Sequence, residues 1–225
     1  MAGPRAEVDA LDAECARFTA FLQTLSDEDW SRPTRCAGWV VRDILVHMTT
    51  MMEYVAETCS KPFLETDPKK DRLGWWDYDI EQDKAEGAEW VAEAGARYPQ
   101  GSILKEWEAA VAGAIPAARA ALAGKDPVVQ PGEQPILLSE YLATRVLEMT
   151  IHGMDVRDAF GLEPDPSPEG IAVTLTILTG RLGDDPHAYG FDDADFANAA
   201  TGRRPLTSEE TERLGALTGR FPLLA

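Results

Sequence analysis

The chain has 225 residues, of which 44% are hydrophobic and 27% charged, and acidic residues outnumber basic residues by 39 to 21. This composition is typical of a globular protein with one large domain. The formal net charge of −18 repels phosphate backbones and anionic lipid headgroups, so we expect neither nucleic-acid binding nor membrane binding. The N-terminus lacks the apolar segment of a signal peptide, and the three cysteines form no Cys-x-x-Cys pair. Both features predict a cytoplasmic protein with reduced thiols.

The predicted elements are almost all helices. Apolar residues that recur at three- and four-residue steps, together with capping signals, predict seven of them. Their approximate ranges are 5–25, 40–58, 81–97, 102–123, 136–160, 168–183 and 208–217. Ser102, Ser167 and Thr207 are the predicted N-caps. The only candidates for short strands are residues 128–129 and 186–191. The sequence therefore predicts a mostly α protein whose long early helices form an up-and-down four-helix bundle.

Two of the three histidines lie in the helices with the clearest apolar pattern. Glu148 and His152 are four residues apart, so they lie on one helix face about one turn apart. His47 lies on the inward side of the helix at 40–58, and it faces that pair if the two helices are neighbours. Two imidazoles and one carboxylate make a three-ligand site with an open position, which is typical of catalytic zinc. The open position would accept a thiolate or a water molecule.

Four other polar residues lie close to these candidate ligands in the helical pattern. Asp43 and Asp155 are candidates to orient the two imidazoles, since carboxylates commonly do so at metal sites. Tyr141 and Arg145 share the ligand face and are candidates to meet an anionic substrate. Together with Asp155, they form the predicted set of catalytic residues. Plainer interpretations remain open. Asp43 fits a first-turn acid that complements the helix dipole, and Arg145 fits a surface ion pair with Glu148.

Cys36 is the one thiol with a chemical argument. It precedes a predicted helix N-terminus and follows Arg35, an environment in which a thiolate is favoured. The alternative is a small packing residue beside Trp39. The aromatic residues within 75–78 are interpreted as a pocket lid, a dimer contact or packing.

Two stretches resemble the signatures of one family. Residues 29–48, DWSRPTRCAGWVVRDILVHM, resemble the first signature of the mycothiol-dependent maleylpyruvate isomerase family, which belongs to the DinB-like metal-binding helical bundles. Residues 144–156, TRVLEMTIHGMDV, resemble its second signature, in which a glutamate and a histidine four residues apart precede Gly-x-Asp. The resemblance covers about residues 5–185.

This resemblance implies a DinB-like four-helix bundle that binds zinc through His47, Glu148 and His152. It also implies mycothiol, the low-molecular-weight thiol of actinobacteria, as a cofactor. Members are cis–trans isomerases or thiol S-transferases that act on small-molecule electrophiles. The isomerase that names the family has a further α/β domain, whereas about forty residues follow Gly183 here. We therefore expect the bundle over residues 1–185 and a short helical extension, residues 186–225, packed on it.

The loop at residues 201–204, Thr-Gly-Arg-Arg, is a candidate to present a cation to an anionic substrate.

The sequence leaves three functional hypotheses open. The first functional hypothesis is a zinc-dependent, mycothiol-using isomerase or S-transferase. The second is a metal-dependent bundle enzyme of specialised metabolism that activates water or a carbonyl without a thiol cofactor. The third is a non-catalytic metal-binding stress protein. A monomer and a homodimer are both compatible with the sequence.

Overall fold

A computed structural model describes residues 5–77, 80–99 and 101–224, with only the backbone at 80–86, 88 and 90. The mostly α class is confirmed. The helices are α1 Ala6–Leu22, α2 Val41–Ser60, α3 Ile80–Arg97, α4 Ile103–Ala121, α5 Leu138–Asp158, α6 Pro168–Leu182, α7 Asp193–Ala200 and α8 Ser208–Leu214. Two short strands, β1 Val128–Val129 and β2 Ile136–Leu137, pair antiparallel before α5. Tyr78, part of the predicted aromatic group, lies outside the described residues.

Two predictions about local structure are wrong. Residues 186–191 do not form a strand; instead, Pro186–Tyr189 is a short 3-10 helix. Helix α7 was not predicted, because an eight-residue helix rich in alanine carries little apolar periodicity. In addition, α5 begins two residues later than the pattern predicts, since residues 136 and 137 pair with β1.

Two of the three predicted N-caps are confirmed. The Ser167 hydroxyl accepts a hydrogen bond from the Gly170 N–H at 2.9 Å. The Thr207 hydroxyl accepts from the Glu210 N–H at 3.2 Å, and the Glu210 carboxylate accepts from the Thr207 N–H at 2.7 Å, which completes a capping box. Ser102 occupies the third predicted N-cap position, at the start of α4, but its hydroxyl donates to the Pro99 carbonyl and makes no capping hydrogen bond.

Helices α1, α2, α4 and α5 pack around the main core. Helices α1 and α2 each contact both α4 and α5. Trp107 and Met48 are fully buried within this core. His47 near the start of α2 approaches His152 near the end of α5, while Thr58 near the end of α2 interacts with Tyr141 near the start of α5. The two helices that carry the candidate ligands are therefore antiparallel neighbours.

A second core covers the opposite side of α5. It is formed by α5, α6, α7 and the residues that follow, with Ile151, Leu178 and Phe196 at its centre. Helix α5 is consequently buried on two sides, so its buried residues surround the helix and do not form the single inward face that the sequence pattern suggests. The backbone of Leu223 bonds to Ala200, so the last described residues also pack on this core. Among the described residues, no helix has the length and apolar character that a membrane span requires.

Candidate metal centre

The structure brings His47, Glu148 and His152 together between α2 and α5. Oε2 of Glu148 lies 3.4 Å from Nε2 of His47 and 3.4 Å from Nε2 of His152. The three potential ligand atoms all lie within 4.8 Å of one another. Their side chains are 22%, 18% and 10% exposed, so the group is largely shielded from water but still reachable.

These donors fit a divalent cation. Nitrogen–oxygen distances of 3.4 Å exceed the 2.7–3.2 Å of ordinary hydrogen bonds, so the carboxylate and the imidazoles converge without binding one another tightly. Two imidazole nitrogens and one carboxylate oxygen form a donor set that zinc prefers, and three protein ligands leave coordination capacity for a small molecule.

Burial and mutual charge shift the titration of these three groups in different directions. Burial lowers the pKa of His47 below its usual range. Burial alone would raise the pKa of Glu148, but the neighbouring imidazoles of His152 and His47 hold it well below its usual range. Burial would likewise lower the pKa of His152, but its contacts with Asp155, Cys36 and Glu148 raise it well above the ordinary value. Glu148 is therefore anionic at neutral pH, as a metal ligand must be.

Asp155 binds the side of the His152 ring that faces away from Glu148. Nδ1 of His152 lies 2.9 Å from Oδ2 of Asp155, whose side chain is fully buried. Because an ionised carboxylate only accepts hydrogen bonds, we assign the imidazole proton to Nδ1. In the neutral imidazole that metal binding requires, this contact keeps the proton on Nδ1 and directs the lone pair of Nε2 toward Glu148.

A second group of potential ligands, formed by Cys36, His152 and Asp155, is a poor metal site. Asp155 accepts a hydrogen bond from Nε of Arg35 at 2.6 Å and from Nε and Nη2 of Arg203 at 3.2 and 3.1 Å. Two guanidinium charges thus contact this carboxylate, and they would repel a metal cation placed there. Burial would raise the pKa of Asp155, but its hydrogen bond with His152 and its ion pair with Arg203 hold this pKa well below its usual range. We therefore place the candidate centre at His47, Glu148 and His152.

The loop before α2 delivers an aromatic wall to this centre. Pro33 and Val40 form a backbone bridge, and the hydroxyl of Thr34 contacts the Trp39 carbonyl at 2.9 Å. Gly38 adopts φ +83° within this turn, a conformation that favours glycine. The turn places the Trp39 ring 6.1 Å from the His152 ring, nearly parallel to it, and 5.4 Å from the His47 ring.

Arg145 and Tyr141 lie on the same face of α5, toward its N-terminus. The Arg145 guanidinium carbon lies 5.2 Å from the centre of the Tyr141 ring and 5.4 Å from that of Trp75, which are cation–π distances. Within the part of the chain that the structure describes, no carboxylate lies within ion-pair distance of Arg145, so the predicted surface pair with Glu148 is not observed. Tyr141 is 2% exposed and lies about 10 Å along the helix from Glu148, because each residue rises about 1.5 Å.

The chain is similar to one family of known proteins. Residues 11–157, more than half of the chain, match the family described as Mycothiol maleylpyruvate isomerase N-terminal domain. The chain belongs to this family. Searches of curated proteins and of solved structures find no match.

Other predictions about polar residues near the centre need correction. Asp43 does not orient His47; its carboxylate accepts a hydrogen bond from the Val40 N–H at 3.0 Å, as a first-turn acid at a helix N-terminus does. In the loop 201–204, both arginines form ion pairs within the protein. Arg203 pairs with Asp155, while Arg204 pairs with two acidic side chains of the C-terminal extension.

Cys36 lies beside an anion and not at a helix N-terminus. Its Sγ donates to Oδ2 of Asp155 at 3.1 Å and lies 4.0 Å from Nδ1 of His152. Cys36 therefore contacts the Asp155 carboxylate and does not occupy the helix terminus on which the sequence argument for a thiolate depended. Sequence reasoning placed Arg35 next to this cysteine, but nothing in the sequence indicated its 2.6 Å contact with Asp155, 120 residues away.

Proposed function

We propose that this member of the mycothiol maleylpyruvate isomerase N-terminal domain family is a zinc-dependent enzyme that uses mycothiol. Its reaction is the addition of a thiolate to an electrophilic small molecule, as in a cis–trans isomerase or a thiol S-transferase. The convergence of His47, Glu148 and His152 within 4.8 Å carries this proposal. The family description, which names both mycothiol and an isomerase, supports the choice of cofactor.

In this proposal His47, Glu148 and His152 are the metal ligands, and Asp155 holds His152 in the tautomer that a metal ligand needs. Bound zinc would supply a Lewis acid that lowers the pKa of a thiol and favours its nucleophilic form at neutral pH. Trp39 covers one side of the two imidazoles and would limit the access of water. Arg145 lies three residues before Glu148 on α5, and its charge contributes to the lowered pKa of His47.

The reaction requires stabilisation of negative charge on the substrate. In an isomerisation, the sulfur bonds to one carbon of a double bond, and the π electron pair moves onto the electron-withdrawing group. Rotation about the new single bond and expulsion of the thiolate then restore the double bond and regenerate the thiol. In a transfer, the carbanion takes up a proton and the sulfur–carbon bond persists. We assign the stabilisation of this charge to Arg145, with Tyr141 and Trp75 holding its guanidinium group.

The proposal includes the organisation of the chain. We propose that residues 1–185 form a DinB-like up-and-down bundle and that residues 186–225 form an extension packed on it. The contacts among α1, α2, α4 and α5 support the first part, and the second core supports the other. We also propose that the enzyme is cytoplasmic, because its proposed cofactor is a thiol and the cytoplasm keeps thiols reduced.

Cobalt(II) provides a spectroscopic test of the thiol. The protein is loaded with cobalt, and mycothiol is added while the visible and near-ultraviolet absorption is recorded. We expect a new sulfur-to-cobalt charge-transfer band that S-methylated mycothiol, the matched control, does not produce. His47→Ala should lose the metal and the band together. Equal spectra with mycothiol and with S-methylated mycothiol would contradict thiol binding at the metal. That result would favour an enzyme that activates water or a carbonyl.

A further inference from the structure

Arg203 connects the C-terminal extension to the candidate metal centre. It lies in the loop between α7 and α8, and its side chain is 24% exposed. Nε and Nη2 donate to the two carboxylate oxygens of Asp155 at 3.2 and 3.1 Å, and Nη1 donates to the Thr201 carbonyl at 3.0 Å. The forked guanidinium thus contacts both oxygens of the carboxylate that holds His152.

A second arginine contributes to the same network from the other end of the chain. Nε of Arg35 donates to Oδ1 of Asp155 at 2.6 Å, and its Nη2 donates to the side-chain oxygen of Asn198 on α7 at 2.8 Å. Both guanidinium groups that bind Asp155 are therefore linked to the extension. Arg203 is part of the extension, and Arg35 is hydrogen-bonded to Asn198 on it. Together they leave the carboxylate little freedom to rotate away from the imidazole.

Packing within the extension holds the loop that carries Arg203 in place. The rings of Phe191, Phe196 and Phe221 cluster with centroids 5.6–6.3 Å apart, and the Leu223 N–H bonds to the Ala200 carbonyl at 2.7 Å. The neighbouring Arg204 pairs with Asp195 and with Glu210.

We propose that Arg203 is a positioning residue that fixes Asp155, and through it the ring and tautomer of His152, so that the C-terminal extension forms part of the metal centre. This inference rests on the proposed ligand role of His152. Arg203 acts through Asp155 and does not itself contact the group of ligand atoms. Partners one contact removed from a metal typically change metal affinity by about 10- to 100-fold when they are lost.

Arg204 is a matched control, because it lies in the same loop and anchors it through ion pairs but does not contact Asp155. The variants are Arg203→Ala, Arg203→Lys and Arg204→Ala. The zinc dissociation constant is measured by competition with a chromogenic chelator, and thermal unfolding is followed in parallel. A second readout needs no metal: at a pH where His152 is neutral, its ¹⁵N chemical shifts in the metal-free protein report which ring nitrogen carries the proton.

For Arg203→Ala we expect zinc binding weaker by about tenfold or more, together with a His152 signal that reports a mixture of tautomers. Arg203→Lys keeps the positive charge but lacks the forked guanidinium group that contacts both carboxylate oxygens. Its loss of zinc affinity should therefore be smaller than that of Arg203→Ala. Arg204→Ala should lower the unfolding temperature but change zinc affinity by less than about twofold. The inference is overturned if Arg203→Ala binds zinc like the wild type, or if Arg204→Ala weakens zinc binding equally. A wild-type protein that binds no zinc would instead refute the proposed function.

Discussion

Nδ1 of His152 lies 2.9 Å from Oδ2 of Asp155, while Nε2 on the other side of the same ring lies 3.4 Å from Glu148. The imidazole therefore links two environments. One is a converging set of potential metal ligands, and the other is a buried network of ion pairs that extends to the C-terminal extension. The orientation of the candidate ligand depends on the fixed charge behind it.

Replacing Asp155 tests this link. Asp155→Asn keeps the shape of the side chain but removes the charge, and it leaves two guanidinium groups without their buried partner. We expect zinc to bind about 10- to 100-fold more weakly, and the free energy of unfolding to fall by about 3–5 kcal/mol. Chelator competition and urea denaturation measure the two effects. Asp158→Asn is the control, because Asp158 lies on the same helix but its side chain is 54% exposed. This variant should change neither zinc affinity nor the free energy of unfolding. Equal losses of zinc affinity in both variants would contradict the role of Asp155.

The assignment of Arg145 predicts a preference for substrate charge. Maleamate and maleamide have nearly the same shape, but only the first carries a carboxylate. We expect Arg145→Met to raise the KM for maleamate at least about tenfold and to affect maleamide by less than about twofold, because only the anion loses a charged partner. Steady-state kinetics with mycothiol measure this difference. A similar change for both compounds would mean that Arg145 supports the packing of Tyr141 and Trp75 alone.

The Arg204–Glu210 pair predicts a pH-dependent stability. Hydrogen bonds from the guanidinium group of Arg204 lower the pKa of Glu210 from 4.5 to about 2. A lowered carboxyl pKa adds stability that is present above pH 4.5 and is lost as the pH falls toward 2. Glu210→Gln keeps a capping-box side chain, so it isolates the ion pair.

We expect this variant to lose about 1 kcal/mol in the free energy of unfolding at pH 7, since the pair lies near the surface. The difference from the wild type should shrink below pH 4.5 and vanish near pH 2. Urea denaturation at several pH values measures it. Glu209→Gln is the control, because Glu209 is 73% exposed and should contribute little. A loss that stays constant with pH would refute the electrostatic origin.

The side chain of Glu14 leaves no space for a Cβ atom at Gly170, in the first turn of α6. Its carboxylate is buried against this helix terminus, where Oε1 accepts from the Ser167 N–H at 2.5 Å. A Cβ atom at Gly170 would lie 2.1 Å from Oε1 of Glu14. Gly170→Ala should therefore lower the free energy of unfolding by about 1–3 kcal/mol. Gly153→Ala, inside α5 with no atom within 4 Å of the added Cβ, should raise it by about 0.5–1 kcal/mol.

The regular part of the site could be predicted from the sequence, because it depends on helical periodicity. Glu148 and His152 lie four residues apart on one face, and the apolar neighbours of His47 indicate that it faces inward. The same periodicity predicts the long helices, whereas α7 has too short a pattern to detect.

The charged network behind His152 could not be predicted in this way. Arg203 is 48 residues from Asp155, and Arg35 is 120 residues from it. Both contacts depend on how a loop and the C-terminal extension dock, which no local pattern encodes. The sequence indicated a cation in the loop 201–204, but only the tertiary structure shows that a buried carboxylate binds it.

Anomalous diffraction at the zinc absorption edge tests the central claim most directly. Crystals of zinc-saturated protein should show one strong peak at the point where His47, Glu148 and His152 converge, about 2.0–2.2 Å from a ligand atom of each. His47→Ala crystals grown in the same way should lose most of this peak. A peak at Cys36 and Asp155, or no peak in zinc-saturated wild-type crystals, would contradict the account.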